Sequence, residues 1–276
     1  MRKLLALAFL AGLLASAGCS SHDTASNPLS GTQGTVRLQM TDAPGPFDAV
    51  NLVVNQVAIH RGLPDSREQD GAADSTSGWE ILRNQPATYD LMKLRNGVFA
   101  TLAQAMVPAG HYTQIRLKLG AGSNVVVDGV PFPLTVPSGM QSGYKLVGGF
   151  DVPANGLLDL GLDFDAARSI HQTGNGKYLL KPTCRVMPFS TAGTIAGHIL
   201  PESVPASVYA IVGADTVASG LPGSGGVFRL TPLGAGAYTV AIHPTAPYRD
   251  TSLAGIIVSP QQTTDLGDIQ LPMMPD

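Results

Sequence analysis

Asp159, Asp163 and Asp165 lie on one strand-like stretch, Leu157-Leu-Asp-Leu-Gly-Leu-Asp-Phe-Asp165. Alternate residues of a strand share a face at ~6.5–7 Å spacing, so Asp163 and Asp165 could flank a hard cation or form a catalytic carboxylate pair. A calcium ion wants about six or seven oxygens, and Asp42 and Asp151 are the candidate contributors. The plainer expectation is a solvated strand face or turn-forming hydrogen bonds. Glutamate adds little, with only Glu68, Glu80 and Glu202. The histidines (His22, His60, His111, His171, His198, His243) share no metal-ligand spacing. Trp79, the single tryptophan, could stack on a ligand, although capping a core is the simpler role. No Gly-x-Ser-x-Gly elbow, His-Glu-x-x-His helix, Walker loop or dinucleotide-binding glycine pattern occurs. The expectation is therefore a chain without catalytic residues, metal or cofactor. Asp42, Asp163, Asp165 and Trp79 are kept as weak ligand-binding candidates, and a metal-dependent hydrolase as the least favoured reading.

The other reactive position is Cys19. Residues 1–18 carry Arg2 and Lys3, an apolar run from Leu4 to about Leu14, and small residues ending Ser16-Ala17-Gly18. This is the plan of a secretory signal, and a spanning helix needs about twenty apolar residues. Small residues before Cys19 and Ser20-Ser21 after it resemble a bacterial lipobox, with Ser16 where a branched aliphatic residue is usual. That resemblance implies acylation of Cys19 and membrane lipid as its partner; cleavage near Ala17 with a free thiol is the alternative. Residues 19–33 then form a lipid-anchored flexible tether reaching about 20 Å. Ser20 in place of Asp favours the outer membrane in a Gram-negative host. Cys184 has no partner once Cys19 is acylated, and its strand-like surroundings suit a packed thiol.

The remainder reads as strands. Apolar residues alternate at Ile115, Leu117, Leu119 and at Leu158, Leu160, Leu162, Phe164. Val50, Leu52 and Val54 start another strand, whose phase slips near Asn55-Gln56 as through a bulge. With 32 Gly, 21 Pro and only 13% charged residues, short strands joined by turns are favoured over helical bundles. Asp128-Gly129 predicts a hairpin. Only Asp90 to about Ala105 approaches helical spacing. Residues 62–78 are a long polar insertion, expected to be disordered rather than a binding loop. A net charge of −3 argues against nucleic acid as partner. A break near Ser190-Thr191-Ala192 separates a smaller unit with six or seven strands.

Several blocks then carry a resemblance: Gly34-Thr-Val-Arg-Leu-Gln-Met-Thr-Asp42-Ala43-Pro44, Phe47-Asp48-Ala-Val50, Val57-Ala-Ile-His60, Pro108-Ala-Gly-His-Tyr112, Leu162-Asp-Phe-Asp165 and Tyr178-Leu-Leu-Lys-Pro182. In this order they resemble the bacterial lipoprotein family of domain of unknown function 4382 over residues 34–189. Gly193-x-Ile-x-Gly197, Phe228-x-Leu230 and Ala235-Gly236-x-Tyr238-x-Val240 resemble carboxypeptidase regulatory-like and starch-binding-like sandwiches. The first family implies no activity, and the second implies a spacer or a carbohydrate binder.

The expected fold is all-β, two consecutive sandwiches after a signal peptide (1–18) and tether (19–33). The larger spans 34–190 with at most one short helix, and the smaller, Ig/transthyretin-like, spans 193–276. The expected function is a non-catalytic, exported, membrane-anchored lipoprotein presenting a binding or scaffolding surface to an envelope protein or polysaccharide. Carbohydrate binding through the smaller sandwich is the alternative.

Overall fold

A computed structural model describes residues 32–43, 45–62, 78–137 and 142–275. The expected signal peptide, Cys19, most of the expected tether, Pro44, residues 138–141 and nearly all of the polar insertion lie outside these residues. Strands account for 66% of the described residues and helix for 3%, which makes the fold all-β.

Alternating apolar side chains close two separate cores. In the first sandwich a four-stranded sheet runs in the order Cys184–Pro188, Leu157–Asp165, Gln33–Ala43, Ala100–Pro108. Its inner face supplies Val36, Leu38, Met40, Leu160, Leu162 and Phe164, each at most 1% exposed. The facing nine-stranded sheet is built around Ala49–Arg61, which pairs with Trp79–Arg83, Ala87–Asp90, Gly110–Leu119 and Asn124–Val127. In the second sandwich, Ala192–Leu200 lies between Val227–Gly234 and Thr263–Gln270. Opposite it is a sheet ordered Asp215–Gly220, Ala206–Val212, Gly236–Pro244, Thr251–Val258.

The two sandwiches share one plan. In each, the first strand runs parallel to a late strand (Gln33–Ala43 with Leu157–Asp165, Ala192–Leu200 with Thr263–Gln270). In each it is also antiparallel to the strand that enters an Ala-Gly-x-Tyr corner. The Tyr112 hydroxyl donates to the Pro108 carbonyl and the Tyr238 hydroxyl to that of Gly234, both at 2.8 Å. Gly34 and Gly193 occupy matching positions at the start of the first strands. A Cβ on Gly34 would stand 2.1 Å from the Pro153 oxygen, and one on Gly193 2.3 Å from the Ser259 oxygen. The turns these glycines touch match bond for bond: Asn155 N–H donates to Gln33 O and Gln261 N–H to Ala192 O. Asn155 and Gln261 share a positive φ, 54° and 58°.

Two local expectations meet different fates. Asp128 (φ 50°) and Gly129 (φ 74°) join Asn124–Val127 to Val130–Thr135 as expected from their tolerance of the left-handed region. The strand Ala49–Arg61 also bulges between Val54 and Gln56, as its alternation implied. The helical spacing over Asp90–Ala105, in contrast, yields only the 3-10 turn Leu91–Lys93, capped by Asp90. Asn96 and Gly97 then take positive φ (55° and 78°), which ends helical winding, and the chain continues as the strand Ala100–Pro108. The single α-helix described is one turn, Ala166–Ser169.

Candidate functional site

The outer face of the four-stranded sheet must be polar by the same alternation that makes its inner face apolar. Arg37, Gln39, Thr41 and Ala43 lie beside Asp159, Gly161, Asp163 and Asp165 in parallel register, and Arg185 lies across from Asp163. The second sandwich closes over part of this face. Gly161 marks the contact, because a Cβ there would meet Phe189 at 3.0 Å and Pro232 at 3.3 Å. Phe189 is held by an edge-to-face contact with Phe99 at 5.1 Å.

This covering changes the chemistry of the carboxylates. Asp159, at the more open part, is pulled up by burial, but hydrogen bonds from Arg37 and Gln39 outweigh that and hold it below the usual carboxylate range. Asp163 is 9% exposed, so the expected solvated face is corrected here. Burial raises Asp163 above the ordinary value although its ion pair with Arg185 pulls the other way. Asp165 accepts from the backbone N–H of Arg168 at 2.9 Å, capping the one-turn helix, and its second oxygen lies 3.5 Å from Arg168 Nε. Asp42, 5% exposed, sits behind them: its Oδ1 accepts from Ala166 N–H at 3.0 Å, while its Oδ2 has no hydrogen-bond partner among the described residues. Burial drives Asp42 well above the carboxylate range, with Asp163 and Asp165 adding to the shift and Arg95 opposing it. Burial and then the same three aspartates raise the Cys184 thiol well above its usual value.

Three of the residues chosen from sequence (Asp42, Asp163 and Asp165) therefore converge, but not as a metal centre. Among the described residues no group of three or more His, Cys, Asp or Glu has a geometry that could hold a metal ion. Asp151 is elsewhere, paired with His111 at 2.8 Å. Trp79 is elsewhere too, on the nine-stranded sheet. The Arg116 guanidinium covers its ring at 3.9 Å and His60 meets it edge-on at 5.0 Å.

Between the sandwiches a cleft of about 530 Å³ opens above Asp163, Asp165, Arg168 and Arg185. The second sandwich supplies the opposite wall from Ser207, Tyr209 and the strand Asp215–Gly220. The Tyr209 ring is fixed by an edge contact with His243 at 5.4 Å. Sequence reasoning missed Arg185, Arg168 and this opposite wall. Only the Asp163–Arg185 register and the docking of the second sandwich bring them together, and neither is local in sequence. The arrangement offers paired charges, hydroxyls and open strand backbone, which suit recognition of a polar ligand.

Residues 33–182 match the family model described as Domain of unknown function (DUF4382). No curated protein matches the chain. Among solved structures, a type II cohesin–X-dockerin complex from Acetivibrio cellulolyticus is 26% identical over 29% of this chain, with a TM-score of 0.24. The Bacillus anthracis TIE protein is 11% identical over 87% of this chain (TM-score 0.24), and the shaft pilin SpaA of Lactobacillus rhamnosus GG 10% identical over 88% (TM-score 0.24). The chain spans 57% of the first, 34% of the second and 100% of the third. At these scores none of the three informs the function.

Proposed function

We propose, for a chain that belongs to the DUF4382 family, the role of a non-catalytic, exported lipoprotein that presents the inter-sandwich cleft as a binding surface in the cell envelope. The observation that carries this reading is the state of the charged groups lining the cleft. Asp163 and Asp165 are each engaged by an arginine, and Asp165 also by a helix N–H, so they organise a surface rather than await a reaction. Acylation of Cys19 attaches the chain to lipid, with each buried CH₂ contributing ~0.8 kcal/mol, and residues 19–33 hold the folded part away from the headgroups. Two separate hydrophobic clusters, one from Val36 to Leu180 and one from Ile195 to Leu271, support domains at 34–190 and 193–276. The second of these is the carboxypeptidase regulatory-like sandwich. Among the described residues no helix is long and apolar enough to cross a membrane, so in this reading the lipid does the anchoring.

Labelled palmitate supplied to cells expressing the full chain tests the anchor. Incorporation into the wild type, absent in Cys19→Ala together with release from the membrane fraction, is the expected result. Equal fractionation of both chains removes the lipoprotein reading.

A further inference from the structure

The geometry points to the open edge of the strand Asp215–Gly220 as the docking site for an extended acidic peptide, which adds a strand to the second sandwich inside the cleft. The inference rests on the binding-surface reading above and names its ligand.

Among the described residues Asp215–Gly220 ends its sheet and pairs on one side only, with Ala206–Val212. Six consecutive residues, Thr216 to Leu221, line the cleft. A cleft facing the flat of a strand would meet every second residue, so consecutive lining means that it runs along the strand's edge, where unpaired backbone groups point. One such group is already engaged. The Thr216 carbonyl accepts from Arg168 Nη2 at 3.5 Å, a long contact in the place an incoming backbone N–H would occupy at about 2.9 Å. The Gly220 end lies against Leu230, so the open edge runs from Thr216 to Ser219, about 13 Å at ~3.3 Å per residue, enough for a short strand.

The facing wall selects the side chains. Arg168 and Arg185 keep 57% and 39% of their side chains exposed, whereas Asp165 and Asp163 keep 23% and 11%. All four line the cleft, and the guanidinium groups are its more exposed members. A ligand in the cleft meets a backbone ladder on one side and charge-assisted donors on the other, the combination an extended chain with Asp or Glu completes. A saccharide could use the hydroxyls of Ser207 and Tyr209 but would leave the ladder unused.

The test is selection of random twelve-residue peptides displayed on phage against the full chain, followed by titration of the enriched peptide. Enrichment of Asp and Glu is expected. Thr216→Pro, which removes the edge N–H, should weaken the peptide at least tenfold, and Arg168→Glu at least fivefold. Thr251→Pro, on the opposite edge of the same sheet, should change nothing. Thermal midpoints check that each variant folds, and if Thr216→Pro does not, Arg168→Glu and the cleft-filling Ser219→Trp carry the test. Selection without acidic enrichment, binding indifferent to these variants, or displacement of the peptide by a neutral oligosaccharide would overturn the proposal. None of those results touches the lipid anchor, which stands or falls on the Cys19→Ala experiment.

Discussion

The two sandwiches are built alike and covered differently. Both carry Asp-Leu-Gly on the late strand that runs parallel to their first, at Asp159-Leu160-Gly161 and at Asp265-Leu266-Gly267. In the first, Asp159 reaches across to Arg37 and Gln39 on the neighbouring strand. In the second, the register bulges between Ala196 and His198, and Asp265 accepts instead from its own Gly267 N–H at 3.0 Å. Further along, Asp163 is buried against Arg185, whereas Asp268 remains 71% exposed beside His198. The same strand plan therefore carries solvated carboxylates where its outer face is open and, at Asp163, a buried carboxylate of raised pKa where a neighbour covers it. Burial, not strand type, creates the site.

The strongest challenge to this likeness uses the matched glycines. Gly34→Ala and Gly193→Ala each force a Cβ against a backbone carbonyl and should each cost about 3 kcal/mol, the upper part of the range for overpacking. Calorimetry should register similar losses for the two. A mild effect at one position alone would break the structural repeat. Next comes the contrast between the sandwiches. Arg185→Met leaves Asp163 buried without its partner and should cost about 2–3 kcal/mol, less than a fully buried pair because Arg185 is partly exposed. Adding Asp163→Asn should recover most of that loss in urea titrations, and failure to recover it would mean the pair is not what the cover selects.

Acidity sharpens the contrast further. The folded pKa of Asp42 lies above its unfolded value near 3.8, so the folded state holds the proton more tightly. Its contribution to stability is therefore greatest at low pH and is lost as pH rises through the folded pKa. Asp42→Asn should remove that fall, giving a smaller gap from wild type as pH drops toward 4 than at pH 7. Asp159, whose folded pKa is lowered, acts in the opposite sense: its stabilisation is present above the unfolded value and is lost as pH falls through the folded one. Urea midpoints from pH 2 to 8 would distinguish the two. The smallest expected effects belong to the corners: Tyr112→Phe and Tyr238→Phe each lose one hydroxyl hydrogen bond, about 1 kcal/mol apiece. The phenol of Tyr112, pushed up to about 12 chiefly by burial, stays protonated throughout that range.

Much of the fold was readable because strand alternation is local. Leu158 to Phe164 named a core face, Asp128-Gly129 a hairpin, and Asn55-Gln56 a bulge. Even so, the helical spacing from Leu91 to Leu102 was overridden by Asn96-Gly97, whose backbone ends the turn. The repeated plan was written in Gly-Thr at 34 and 193, Ala-Gly-x-Tyr-Thr at 109 and 235, and Asp-Leu-Gly at 159 and 265. The intervals between these pairs are unequal because the first sandwich carries extra hairpins, so no fixed period exposes them. Half of the candidate site was readable for the same local reason. Asp163 and Asp165 share a strand face, and Asp42 precedes a turn at the end of the neighbouring strand. The rest depends on contacts between chain segments distant in sequence. Arg185 meets Asp163 only through strand register, and the edge at Thr216 meets Arg168 only once the second sandwich docks.

The central claim is that recognition runs along one edge of the second sandwich. Amide hydrogen exchange on the full chain, with and without the selected peptide, tests it most directly. The account predicts slowed exchange confined to the cleft edge between Thr216 and Ser219, with the opposite edge strand, Thr251–Val258, unchanged. Equal protection of both edges, or protection centred on the Trp79 sheet with residues 216–219 unaffected, would contradict it.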